Sequence, residues 1–384
     1  MLFGTPITEN IRPRVISHID LDYFYAQCEE VRNPGLKNRP VVVCVYSGRD
    51  SDSGVVSTSN YNARHFGVTS GISIKLAKSK LSRSELDPVF LPVDLDYYRL
   101  FSTVAMEIIK AMCDTFEQVG IDECYIDISR ASDSNFMKSR EIANHIQNKL
   151  LSRTNLTCSI GVAPNKLIAK IASNIRKPNA ITVVSTPDVM AFMRSCKLEE
   201  IPGIGPKKRT RLETLGIRSV NELSEIDLFR LKEVFGYKIA SYLQNAANGI
   251  DDSPVNPNHQ NKQIGNIVTL KHDITNTEDA IPVLMSLCTH VYDILIRREQ
   301  SYRTVSLILI LHNLKQVSAS RTLKLLSASL DKLQHIVMVR LVDMIRVHSL
   351  SLNEIRRIGI ALSDLADHSG QNKITQYFAE STKV

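Results

Sequence analysis

The chain has 384 residues, 43% of them hydrophobic and 23% charged, with a net charge of +7 and a pI near 8.9. That length predicts two to four domains in an ordinary globular protein. No apolar run approaches the ~20 residues of a bilayer span, so no membrane partner and a cytoplasmic location are expected by default. Seven cysteines, none within ten residues of another, exclude a CxxC zinc or redox unit, while the positive charge permits a polyanionic partner without demanding one.

In chain order, residues 14–20 (RVISHID) and 41–46 (VVVCVY) read as strands, being rich in β-branched residues. Leu100, Val104, Ile108, Ile109 and Met112 recur at helical spacing and predict a helix over 97–114. Strands are expected at 124–128 and 157–162 around a helix near 138–152, then a helix at 165–173 and a strand at 180–184. This alternation is α/β, interrupted at 32–94 by a Gly- and Ser-rich insertion. Residues 185–250 are helical throughout, and the polar stretch 251–263 (DDSPVNPNHQNKQ) reads as a linker. Residues 264–362 run strand, helix, strand, strand, helix, strand, and a short polar tail follows. The fold class is multidomain α/β.

Two carboxylate groups stand at strand ends: Asp20 and Asp22 after the first strand, and Asp122-Glu123 before the strand at 124–128. Clustered carboxylates suit magnesium, which wants hard oxygen ligands and keeps positions for phosphates. Either pair alone is more often a loop or helix cap, and their separation leaves convergence undecided.

The run His18-Ile19-Asp20-Leu21-Asp22-Tyr23-Phe24-Tyr25-Ala26-Gln27 resembles the opening motif of Y-family DNA polymerases of the DinB or DNA polymerase IV type, in an archaeal-like form. Val119 to Asp127 resembles that family's second carboxylate motif, and Ser159 to Ser173 with Lys177-Pro178-Asn179 resembles a third block. The blocks occur in family order, and the similarity spans roughly residues 14–362. It implies a right-hand polymerase: a palm (1–31 and 95–184), fingers (32–94), a helix-hairpin-helix thumb (185–250), a linker (251–263), an α/β little finger (264–365) and a tail (366–384).

The implied reaction is template-directed, low-fidelity addition of deoxynucleoside triphosphates to a primer 3′-hydroxyl, without proofreading. Two magnesium ions would be held by Asp20, Asp122, Glu123 and the backbone carbonyl of Leu21, whereas Asp22 is expected outside the ligand set. The resemblance makes Tyr25 a steric gate against a 2′-hydroxyl. It assigns Tyr23 and Phe24, through their amides, together with Thr58, Tyr61, Arg64 and Lys177, to the nucleotide, and Val55 and Ser57 to the roof over the nascent base pair. Ala180 stands where the family often has glycine, so a disturbed turn is expected there.

Gly203 and Gly205 of the IPGIGPKK run, with Lys207 and Lys208, read as a helix-hairpin-helix for a DNA phosphate, with Arg209 and Arg211 nearby and a weaker copy around Gly236. Lys271, Arg303, Arg321, Arg356 and Arg357 are the candidate little-finger contacts to primer-template DNA. Residues 251–365 hold 13 Lys and Arg against 11 Asp and Glu, a net of only +2, so a modest grip is expected. Gln371, Ile374, Tyr377 and Phe378 resemble a sliding-clamp-binding peptide, whose single 3₁₀ turn gathers the three apolar side chains. A monomer is expected. The rival classes are a metal-dependent nuclease or nucleotide cyclase with a palm-like domain, and an inactive clamp-tethered DNA-binding scaffold.

Overall fold

In a computed structural model that describes residues 13–257 and 262–367, the chain divides into two compact units. One takes in residues 1–44, 56–72 and 76–259, the other 45–55, 73–75 and 260–384. The tail peptide at 371–378 lies outside the described residues.

The first unit is built on a five-stranded sheet in the order Thr115–Gln118, Glu123–Asp127, Ile16–Leu21, Cys158–Ala163, Ile181–Val183. Neighbours are antiparallel except the last, parallel pair. Side chains alternate between faces along each strand. Ile19, Leu21, Cys124, Ile126, Cys158 and Ile160 thus share one face. They pack against Tyr98, Ala105 and Ile109 of helix Leu95–Lys110 and Ile146 and Leu150 of helix Phe136–Thr154. The other face carries Ile16, His18 and Asp20, with Tyr125 opposite His18 and Glu123 opposite Asp20. Helix Lys166–Ile175 covers that face through Leu167, Ile168 and Ile171. Gly161 makes this close seating possible, because a Cβ there would overlap the Ala169 carbonyl oxygen and the Ser173 nitrogen.

Three strands carried no visible period in the sequence: Thr115–Gln118, Gly54–Ser59 and Val89–Pro92. Thr115–Gln118 is a four-residue edge strand between a helix end and a turn, and the 32–94 insertion holds a three-stranded sheet in the order Gly54–Ser59, Val41–Tyr46, Val89–Pro92. The helices Val189–Ser195, Pro206–Thr214, Val220–Glu225, Leu228–Phe235 and Tyr237–Ala247 follow, and their buried Leu212, Leu223, Leu231 and Leu243 join the core of helix Lys166–Ile175. The stretch expected as a plain linker starts as an anchored strap. Asp251 Oδ2 accepts from the Leu167 amide at 3.0 Å, and buried Glu117 accepts from the Asn256 amide at 2.7 Å and the Lys166 ammonium at 2.7 Å.

The second unit has an antiparallel sheet in the order Gln316–Ser327, Gln300–Leu311, Ile355–Ser363, Gln263–Thr269. Helices Thr277–Arg297 and Leu330–His348 pack on one face through Leu284, Leu287, Val291, Leu333, Val337 and Leu341. Helix Thr277–Arg297 is long and apolar enough to cross a membrane, but those buried residues make it the core helix of this unit. The open sheet face is nearly uncharged: Thr304 and Thr322 bond at 2.9 Å, Ser306 and Ser320 at 2.7 Å, and Ala361 and Gly265 continue the second row.

Candidate active site

Asp20 and Glu123 end adjacent strands as a cross-strand pair, and Asp122 sits in the turn just before, where its carbonyl accepts from the Leu21 amide at 2.9 Å. Register therefore brings together carboxylates that lie far apart in the sequence. Burial and the charges of Asp20 and Glu123 push the Asp122 carboxyl up to about 6. Glu123 moves the other way: hydrogen bonds from His18 and Lys170 hold it down to about 2 despite partial burial. Its Oε2 lies 3.2 Å from His18 Nε2 and 2.5 Å from Lys170 Nζ. His18 is fully buried, and that burial lowers its own pKa.

Among the described residues, no three His, Cys, Asp or Glu side chains are grouped closely enough to hold a metal ion. The expected three-carboxylate cluster is therefore not closed. Asp20 is turned to Lys177, with Nζ 2.5 Å from Oδ1, and Glu123 is turned to His18 and Lys170. The donor chemistry nevertheless fits a hard divalent cation, because the donors are oxygens and the repulsion that raises Asp122 is what such a cation would relieve.

A cavity of about 280 Å³ opens beside this pair. Asp20, Leu21 and Asp122 form its floor, Lys177 and Arg64 supply cations, and Tyr25, Ser57 and Thr58 line the rest. Tyr23 and Phe24 also line it, at the start of helix Phe24–Arg32. That N-terminus has no side-chain cap, so its amides and dipole suit an anionic group. Tyr23 itself adopts φ 34° and donates to Glu30 at 3.1 Å, while Phe24 is buried, so neither ring is offered as a contact. Tyr25 stacks on Tyr98 with ring centroids 4.6 Å apart and planes at 17°. Tyr98 in turn donates to Glu29 at 2.8 Å, which fixes the platform beneath Tyr25. A larger groove, about 550 Å³, runs beside Val268, Lys271 and Val283 in the second unit; its two carboxylates, Asp273 and Asp279, do not stand on paired strands.

Other expected residues fall differently. Arg64 donates through Nε to the Ser59 carbonyl at 2.9 Å and lies over the Tyr61 ring at 5.0 Å. Tyr61 is not on the cavity wall; its ring meets Tyr23 edge-on at 5.3 Å. Val55 pairs with Ser73 in the second unit. The concern over Ala180 dissolves, because the left-handed position in this turn is Asn179, at φ 55°, a residue that tolerates it. Asp22 is fully buried and accepts from Thr157 at 2.9 Å, Ser159 at 2.7 Å and the Asn179 amide at 2.8 Å, which occupies its carboxylate structurally.

The family model described as the impB/mucB/samB family matches residues 19–174, its C-terminal domain matches 261–375, and one described as the DNA polymerase-iota thumb domain matches 199–251. DNA polymerase IV of Nitrosopumilus maritimus is 40% identical over 365 residues, covering 95% of this chain and 99% of that relative. The chain belongs to the DNA polymerase IV family of Y-family DNA polymerases. Its fold is theirs as well. The structure of the Y-family DNA polymerase chimera Dbh-Dpo4-Dbh superposes with a TM-score of 0.85 at 30% identity, covering 92% of this chain and 99% of that one. The insertion ternary complex of Dbh DNA polymerase gives 0.66 at 30% identity, again with 92% and 99% coverage.

In this Y-family enzyme the thumb hairpin has the expected turn but fewer available cations. Gly203 takes φ 86°, and Gly205 precedes helix Pro206–Thr214, whose N-terminus has no side-chain cap. Lys207 is exposed, whereas Lys208 donates to the Gly203 carbonyl at 2.8 Å. Arg209 pairs with Glu199 and Glu213, and Arg211 bonds the Val234 carbonyl and covers Phe235.

The expected little-finger contacts do not share one surface. Arg357 lies opposite Ile310 on the open sheet face, but Arg321 lies opposite Val305, whose side chain belongs to the helix-covered face. Arg303 pairs with Asp364 at 3.5 Å, Arg356 falls at a break in strand register, and Lys271 follows the edge strand on the groove wall.

Sequence reasoning assigned no role to His18, Lys170, Ser173 or Ser70. The first three meet behind Glu123, and Ser70 lines the cavity while donating to the Ser57 carbonyl at 2.6 Å. The only signal was that His18, Lys170 and Ser173 lie inside the family-like blocks.

Proposed function

We propose that this polymerase is of the translesion type: template-directed, low in fidelity, without proofreading, and dependent on two magnesium ions to extend a primer 3′-hydroxyl with deoxynucleotides. The observation that carries the reading is the cross-strand pairing of Asp20 with Glu123 beside a raised Asp122, next to a cavity walled by Tyr25, Thr58, Arg64 and Lys177. Asp20, Asp122, Glu123 and the Leu21 carbonyl would hold the ions. Two bound magnesium ions would supply charge stabilisation at the attacking and leaving oxygens of an in-line displacement.

The chain's own groups account for the rest. Arg64 offers a planar fork and Lys177 a point charge for triphosphate oxygens, and the uncapped amides before Phe24–Arg32 add neutral donors. The Tyr25 ring, backed by Tyr98, is a rigid wall that would collide with a 2′-hydroxyl. The small Ser57 and Ser70 on the wall leave room for distorted bases, which supports low fidelity. Primer-template DNA and nucleotide as partners are supported by the ternary complex among the related structures. The reading extends to a monomer in the cytoplasm that engages a sliding clamp through residues 371–378.

Primer extension with magnesium and four deoxynucleotides, comparing the native protein with Asp122→Ala, tests this. Template-dependent elongation that the substitution abolishes is the expected result. Strand cleavage, a cyclic nucleotide, or binding without chemistry would replace it with a nuclease, a cyclase or a scaffold.

A further inference from the structure

Resting on the polymerase reading, we propose that His18, its tautomer set by Ser173, acts with Lys170 to clamp one oxygen of Glu123 and so present the other to the metal. His18 is fully buried at the centre of the sheet, yet both of its ring nitrogens are engaged. Nδ1 lies 2.8 Å from Ser173 Oγ, and Nε2 lies 3.2 Å from Glu123 Oε2. Lys170 Nζ reaches the same Oε2 at 2.5 Å. Among the described residues no hydrogen bond reaches Oε1. Two donors on one oxygen fix both the position and the rotation of the carboxylate.

The proton count decides what Ser173 does. A neutral imidazole carries one N–H, so its two nitrogens cannot both donate. Ser173 Oγ, 2.8 Å from His18 Nδ1, also donates at 2.8 Å to the Lys170 carbonyl, so its single proton has two competing acceptors. That carbonyl has a second side-chain donor in Asn174 Nδ2, at 3.2 Å. With the hydroxyl proton given to Nδ1, the ring proton sits on Nε2 and points at Glu123. In the other tautomer the Nε2 lone pair would face a carboxylate oxygen.

Two further contacts make the clamp rigid. The His18 ring packs on Tyr125 with centroids 4.6 Å apart, and Gly161, opposite His18, lets helix Lys166–Ile175 bring Lys170 and Ser173 within reach. On the far side, Gly120 leaves room for the glutamate: a Cβ there would lie 2.9 Å from Glu123 Cγ. His18, Ser173 and Lys170 touch no substrate in this reading. They are positioning residues.

The test uses the full chain with His18→Phe, His18→Gln, Ser173→Ala and the His18→Phe, Ser173→Ala double variant. Single-nucleotide incorporation gives kcat and KM, thermal melting reports folding, and electron paramagnetic resonance follows Mn2+ binding to the complex with a chain-terminated primer and nucleotide. His18→Phe is expected to lower both kcat and Mn2+ affinity about 10–100-fold while leaving nucleotide KM unchanged. His18→Gln, which keeps a donor toward Glu123, should recover most of the loss. Ser173→Ala should cost less, and nothing more when added to His18→Phe. Native kcat and Mn2+ affinity in His18→Phe, equal loss in His18→Gln, or additive losses in the double variant would overturn the clamp. If the native protein extends no primer, the polymerase reading fails, and the Mn2+ measurement still decides whether His18 orders Glu123.

Discussion

Asp22 accepts a 2.8 Å hydrogen bond from the backbone amide of Asn179, 157 residues further along the chain. The same carboxylate holds Ser159 on the neighbouring strand and Thr157 just before it, so it pins the turn that carries Lys177 to the sheet end that carries Asp20. Removing it leaves the buried Ser159 hydroxyl without an acceptor, at about 1–3 kcal/mol, and frees the partly buried Thr157 hydroxyl and Asn179 amide to seek water instead. Asp22→Ala should therefore lower the melting temperature and raise KM for the nucleotide more than it lowers kcat, because Lys177 loses its anchor. Asp22→Asn keeps one acceptor, and the Ser159 hydroxyl can turn to accept from the new amide, so this variant should be milder in both respects. Steady-state incorporation and calorimetry on the two variants check the ordering.

Tyr25 and Tyr98 separate sugar selection from stability. Tyr25→Ala removes the aromatic wall of the cavity and should admit ribonucleotides, read as a fall in the ratio of kcat/KM for deoxy- over ribonucleotide. Unchanged discrimination would remove Tyr25 from that role. Tyr98→Phe keeps the stacked ring but deletes the hydrogen bond to the buried Glu29, so it should preserve discrimination while costing about 1–3 kcal/mol of stability.

Gly161→Ala places a methyl group inside the backbone of helix Lys166–Ile175. Overpacking a close helix–sheet contact costs about 1–3 kcal/mol or more. The helix must also lift, which draws Lys170 from Glu123 and Ser173 from His18. Lower stability and lower kcat should appear together, measurable by thermal melting and incorporation kinetics. A native melting temperature would contradict the seating.

Whatever depended on local pattern was legible in the chain. The Val41–Tyr46 strand is a run of β-branched residues, and the helix around Val104 and Ile108 shows its period, so both were expected nearly where they lie. Thr115–Gln118 is too short and too polar to show one. The pairing of Asp20 with Glu123 depends on strand register, which no local pattern encodes, and only the family-like order of motifs pointed to it. Partners of charged residues were equally hidden. Lys208 and Arg211 looked like solvent-facing cations for a phosphate, yet both bond backbone carbonyls, and Arg321 and Arg357 fall on opposite sheet faces because they sit at positions of opposite parity in the register. The His18–Ser173–Glu123 contact needs a helix docked on a sheet, a relationship between segments about 150 residues apart that the histidine alone could not reveal.

The tail peptide offers the sharpest separation of chemistry from recruitment. Gln371, Ile374, Tyr377 and Phe378 have the spacing that one 3₁₀ turn gathers into a single apolar knob, and two of the four are the aromatic anchors that dominate small interfaces. Asp20, Asp122, Glu123 and the cavity residues all lie outside this segment of the sequence, so deleting 371–384 should leave distributive synthesis on a short primer unchanged. On a circular template carrying a ring-shaped clamp, the truncated protein should lose the clamp's stimulation. Tyr377→Ala with Phe378→Ala should reproduce that loss, because burying each ring contributes roughly 2 kcal/mol or more to such an interface. Equal stimulation of the truncated and native proteins would mean that any clamp contact is made elsewhere on the chain.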